Sequence, residues 1–263
     1  MTFTIAVSGK GGTGKTTIAA LLIRILWEKT GKPVLAVDAD PNANLNEALG
    51  VPVRAAVGDI RENLLKETGT LSPGQTREDY LDSLIQSSLT ESEGFDLLAM
   101  GRPEGPGCYC YVNNLLRKIL DSITSNYSLV VMDAEAGLEH FSRRTTRDVD
   151  VLLIMTDPTA RGIATARRIT ELIKEINMKI GRIYAVANRV PERMRERVVE
   201  DISSAGLECI GIIPEDPLVQ EFDVNAKPIA ALPESSPACK AAEDIVQKLS
   251  IPEMAAGSSG KGS

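Results

Sequence analysis

Seven short apolar runs, separated by polar or amphipathic stretches, constrain the fold of this chain more than any other feature. They are 2-TFTIAVS-8, 33-PVLAVDA-39, 95-FDLLAM-100, 128-SLVVMDA-134, 150-DVLLIMT-156, 182-RIYAVAN-188 and 207-LECIGII-213. Their apolar residues run on rather than alternate, so they read as strands buried on both faces of a sheet. Amphipathic helix candidates lie between them, at 16–29, 112–125, 160–176, 191–204 and 238–249. Strand–helix–strand alternation predicts an α/β fold: a doubly wound, mostly parallel sheet with helices on both faces and right-handed crossovers. Residues 51–94 are polar and weakly periodic, and read as a small helical elaboration within one domain spanning 1–250. Residues 251–263 read as a tail, whose end 257-GSSGKGS-263 has the composition of a disordered or appended segment.

Aromatic residues make up only 4% of the chain, so the core must be built from Ile, Leu, Val, Ala and Met. A net charge of −7 repels phosphate backbones and argues against a nucleic-acid partner. No apolar run approaches the roughly 18 residues of a membrane span. The N-terminus enters a strand directly, without signal-peptide architecture. Four cysteines in a chain of this length form no disulfide framework. A cytoplasmic, reducing compartment without membrane association is the expectation.

Between the first strand and the first helix lies 9-GKGGTGKT-16, which fits G-x-x-x-x-G-K-[ST] in the context that motif requires. Gly9, Gly11, Gly12 and Gly14 allow the backbone to curl so that its N–H groups face phosphate oxygens, and the helix N-terminus adds its positive end. Lys15 is expected to bridge the β- and γ-phosphates of ATP, and the Thr16 hydroxyl to bind magnesium. Thr13 and Thr17 complete the expected nucleotide-binding loop. Asp38 and Asp40 in 37-VDADP-41, and Asp133 closing VVMD, place carboxylates at strand ends. There they suit holding magnesium through water or positioning an attacking water.

The second lysine, Lys10, resembles the signature of the deviant Walker A ATPases, which include the MinD and ParA proteins, the nitrogenase iron protein and the CooC proteins. The resemblance implies a homodimer in which Lys10 reaches the partner's ATP. It also implies a switch I containing Asp38 and Asp40, with Asp40 orienting the hydrolytic water, and a switch II at 133-DAEAG-137. Asn188 in 187-ANRV-190, and Pro214 and Glu215 in 211-GIIPEDP-217, resemble the family's adenine-contacting positions.

The stretch 105-GPGCYCYVNN-114 carries Cys108 and Cys110 in a glycine- and proline-rich loop. Two thiolates are too few for a closed four-coordinate site. A two-fold dimer would supply four sulfurs, a set that suits zinc, nickel or an iron–sulfur cluster. His140, the lone histidine, reads as a structural residue or as one supporting the site from behind rather than as a ligand, and Cys209 and Cys239 read as buried side chains. Residues 101-GRPEGPGCYCYVNNLLR-117 closely resemble the CooC family (AcsF where it serves acetyl-CoA synthase), as does 137-GLEHFSRRT-145. That resemblance implies an ATP-dependent nickel metallochaperone for carbon monoxide dehydrogenase or acetyl-CoA synthase, with Cys108 and Cys110 as half of a shared nickel or zinc site. A MinD- or ParA-type positioning ATPase and an iron–sulfur scaffold ATPase are the alternatives.

Overall fold

The computed structural model describes residues 2–40, 44–59, 83, 86–101, 119–134, 149–175, 178–252 and 254. The described strands are β1 (Phe3–Gly9), β2 (Val34–Asp38), β3 (Leu89–Glu91), β4 (Phe95–Ala99), β5 (Leu129–Asp133), β6 (Val149–Thr156), β7 (Ile180–Val190) and β8 (Cys209–Pro214). They form one sheet in the order β3-β4-β2-β5-β1-β6-β7-β8. Every neighbouring pair is parallel except the β3–β4 edge, where Leu89 faces Leu98 in antiparallel register. All seven expected strands are present, and the doubly wound fold is the one the apolar runs predict.

The continuous apolar runs are explained by two cores, one on each face. Ile5 and Val7 of β1, Val131 of β5 and Leu153 of β6 point to one face, with Ile18, Leu22 and Ile245. Ala6, Val130 and Ile154 point to the other, with Ile163, Ile169 and Ile202. On the first face lie α1 (Lys15–Thr30) and α6 (Pro237–Lys248); on the second lie α3 (Ala160–Glu175) and α4 (Arg195–Ser204). Helix α1 is buried almost all round from Ile18 to Leu26, because the sheet covers one side of it while α6 and residues Ile229–Ala231 pack against it as neighbours. It ends where Gly31, in left-handed backbone, donates its N–H to the Trp27 carbonyl at 2.7 Å.

Three local expectations are corrected. Residues 89–91, inside the stretch read as a helical elaboration, form the edge strand β3, three residues that are too short for a periodic signal. Strand β7 continues two residues past Asn188, through register shifts at Ala185/Val186 and Ala187/Val190. The strand expected at 207–213 runs instead from Cys209 to Pro214, and a two-residue link leads from it to α5 (Pro217–Val224). Asp216 caps α5 by accepting from the Leu218 N–H, and Pro217 occupies the first turn, a start signal present in the sequence. A short α2 (Leu45–Leu49) was likewise not anticipated. The core extends to Ile251, which is 2% exposed. Among the described residues no helix is long and apolar enough to cross a membrane.

Candidate functional site

Parallel strands direct their C-terminal ends to one edge, and the chain order reverses across β1, which sits between β5 and β6. The glycine-rich turn following β1 therefore lies at the switch point of the sheet. Gly12 and Gly14 adopt φ values of 77° and 88°, which a residue with a Cβ disfavours. A Cβ on Gly14 would also run into the Asn188 amide nitrogen. Thr13 closes the turn from inside: its hydroxyl donates to the Lys10 carbonyl at 2.7 Å. Lys15 is buried at the first turn of α1, whereas Lys10, Gly11 and Gly12 are exposed on the rim.

Beside the turn, β2 and β5 run in register, so that Asp38 and Asp133 end neighbouring strands side by side. The Thr16 hydroxyl donates to Asp133 Oδ2 at 2.6 Å. Asp133 Oδ1 is buried without a hydrogen-bond partner. Burial pushes the Asp133 carboxyl up to about 6, although the Thr16 hydroxyl and the Lys15 ammonium both act to lower it. A hydroxyl oxygen and an unsatisfied carboxylate oxygen are hard donors and fit magnesium, held with nucleotide oxygens and water. Bound there, the ion would neutralise phosphate charge. Among the described residues no group of three or more His, Cys, Asp or Glu could hold a metal by itself.

Asp38 is 1% exposed and spends both oxygens on backbone. Oδ1 accepts from the Asp40 N–H at 3.1 Å and Oδ2 from the Leu45 N–H at 2.9 Å. Burial raises its carboxyl to about 7; the Leu45 N–H counteracts this, and the Asp133 charge adds to it. Asp38 thus pins both ends of the segment that carries Asp40, which is half-buried at the same edge.

On the other side of the turn, a cavity of 390 Å³ opens between the start of α1, the end of β7, the β8–α5 link and α5. Asn188 and Pro214 line it with Thr17; Glu215 is exposed beside it and is not among the lining residues. The Asn188 amide donates to the Thr13 carbonyl at 2.9 Å and accepts the Arg189 N–H at 2.9 Å, so it is tied to the phosphate loop. Among the lining residues that sequence reasoning passed over are Arg189 and Asp216. Arg189 donates from its guanidinium to the Gly12 carbonyl. Asp216, 5% exposed, accepts from the Leu218 and Ala238 N–H groups and the Ser236 hydroxyl, joining the starts of α5 and α6.

Cys239 is fully buried, and Cys209 is half-buried with its thiol pushed up by burial. Cys108, Cys110, His140 and residues 135–137 of the expected switch II lie outside the described residues.

A strand–glycine loop–helix with a buried lysine, a hydroxyl–carboxylate pair and an adjoining base-sized cavity defines the site of a P-loop nucleoside triphosphatase. The chain belongs to the CobQ/CobB/MinD/ParA nucleotide-binding family, whose domain profile matches residues 4–229, and it is an ATPase. It is 48% identical, over 93% of its length and 97% of the relative's, to an uncharacterised ATP-binding protein of Methanocaldococcus jannaschii. It is 34% identical to the carbon monoxide dehydrogenase accessory protein CooC of Rhodospirillum rubrum, covering 90% of this chain and 91% of that one. Among solved structures, MinD in the MinC:MinD complex of Aquifex aeolicus matches with a TM-score of 0.69 and 26% identity, covering 94% of this chain and 95% of that one. MinD of Pyrococcus horikoshii with Mg-ADP shares the fold, at a TM-score of 0.67 and 22% identity over 99% and 100% of the two chains.

Proposed function

We propose that this ATPase is a metallochaperone of the CooC type, which dimerises with ATP, holds nickel between the paired Cys108 and Cys110 of two chains, and serves carbon monoxide dehydrogenase or acetyl-CoA synthase. The observation that carries the reading is where the cysteine-bearing segment joins the sheet. Strand β4 ends at Ala99 opposite Asp38, and Met100 donates its N–H to the Asp38 carbonyl at 2.8 Å. The chain that goes on to Cys108 therefore leaves the same edge, beside the carboxylate that anchors Asp40. The 34% identity to CooC over most of both chains supports the client class. In this reading Lys10, exposed on the rim, crosses to the partner's ATP, and Asp40 orients the hydrolytic water.

Equilibrium dialysis with Ni²⁺ and with Zn²⁺ tests it. One ion should bind per two chains, and Cys108→Ser with Cys110→Ser should abolish that binding while leaving ATP affinity unchanged. Unaltered stoichiometry in the double variant, or one tight ion per monomer, would remove the shared site and with it the metallochaperone reading.

A further inference from the structure

Arg189 has left-handed backbone, φ 55°, at the register break that ends β7. Such backbone disfavours any side chain with a Cβ, and long ones have no local hydrogen bond to offset it. The conformation places two neighbouring side chains on two neighbouring carbonyls of the phosphate loop: Asn188 on Thr13, at 2.9 Å, and the Arg189 guanidinium on Gly12. The Arg189 N–H in turn donates to Asn188 Oδ1 at 2.9 Å, which fixes the amide so that its nitrogen faces the loop. In a trans peptide the N–H points opposite to the C=O. Gripping the Gly12 carbonyl therefore sets the Thr13 N–H, which donates to the Lys10 carbonyl at 3.3 Å. Gripping the Thr13 carbonyl turns the Gly14 N–H away from β7.

We propose that Arg189 is a positioning residue of the ATPase: it braces the phosphate loop from outside, through the Gly12 carbonyl, so that the loop is shaped for phosphate before nucleotide arrives. The inference rests on ATP hydrolysis alone and is independent of the metal reading. Without the brace a smaller fraction of molecules holds the competent loop, and the dissociation constant rises by the inverse of that fraction. The bound phosphates then restore the loop, so turnover at saturation changes little. Loss of one charge-assisted hydrogen bond from an exposed side chain corresponds to a rise of about tenfold.

Arg189 also lines the 390 Å³ cavity, so a direct role against the base must be separated from the brace. Titration calorimetry with Mg-ATP and with Mg-tripolyphosphate, which has no base, separates them. Arg189→Gly removes the guanidinium and relieves the left-handed backbone, so it should melt no lower than the wild type. It should bind both ligands about tenfold more weakly, with kcat within about twofold and KM raised in step. Arg189→Lys, which keeps one donor, should recover part of the affinity for both. Weakened ATP binding with unchanged tripolyphosphate binding would assign Arg189 to the base and overturn the brace. Unchanged affinity for both would leave it no role in the site, and a melting temperature lowered by about 5 °C or more would make its contribution structural.

Discussion

Replacing Asp133 by Asn should change how stability depends on pH, in a direction that the burial of the site fixes. The carboxyl titrates near 3.8 when free and is raised to about 6 in the folded chain, chiefly by burial. As pH rises, the unfolded chain releases this proton first, while the native state keeps it. Stability is therefore fully present below the unfolded value, is lost as pH climbs toward 6, and stays lost above it. A shift of about two units corresponds to about 3 kcal/mol. Asparagine does not titrate, and its carbonyl can still accept the Thr16 hydroxyl. Between pH 3 and pH 7.5 the stability difference should thus move by about 3 kcal/mol in favour of Asp133→Asn. Removing the charge also lightens the load on Asp38, raised to about 7 partly by Asp133, and this acts in the same direction.

The assay is urea unfolding of both proteins, in EDTA and without nucleotide, at half-unit steps of pH, with slope and midpoint fitted separately. Subtracting the two curves removes every other titrating group that the substitution leaves alone. A difference that is flat, or that moves toward the wild type as pH rises, would refute the reasoning. In that case the Thr16 hydroxyl and the Lys15 ammonium would outweigh desolvation, and the carboxylate would be ionised throughout.

Three further outcomes follow from the same site. Lys15→Ala removes the buried ammonium and should abolish ATP hydrolysis in a phosphate-release assay, by a factor of about 10³ or more if the lysine neutralises transition-state charge. Lys10→Ala should lose ATP-dependent dimerisation in light scattering, while Asp40→Asn should bind ATP, dimerise and hydrolyse slowly; a Lys10 variant that dimerises as the wild type does would refute the trans role.

How much of this was readable in the sequence depended on whether the signal was local. The phosphate loop was, because Gly9 to Thr16 must be contiguous to curl around one phosphate, and the flanking strand and helix announce themselves by periodicity. The strand-end aspartates were also found, since an apolar run closing in Asp is a local pattern. The pairing of Asp38 with Asp133 was not, because it depends on β2 and β5 being neighbours with their ends in register. Arg189 was invisible for a different reason: nothing in ANRV signals left-handed backbone at an arginine, and its contact with Gly12 is 177 residues away in sequence. Asp216 did carry a signal, an N-cap aspartate before proline, but this marks a helix start and not the buried contacts to Ser236 and Ala238 that join two helices.

These residues also show why the carboxyl edge is a place where occupancy and conformation can be coupled. Two buried carboxylates side by side disfavour their own ionised forms, and at neutral pH that cost falls on the folded chain. A ligand bringing positive charge to Asp133 recovers part of it, so binding free energy and folding free energy share one group. Asp38 cannot respond alone, because its oxygens hold the Asp40 and Leu45 N–H groups and its carbonyl holds Met100. Any shift in Asp38 is thereby felt on two sides: in the segment that bears Asp40, and in the strand end from which the chain continues toward Cys108. On the proposed reading, ATP and metal need no long pathway through the protein to influence one another. They would act through one buried aspartate and the three N–H groups that its side chain and carbonyl hold.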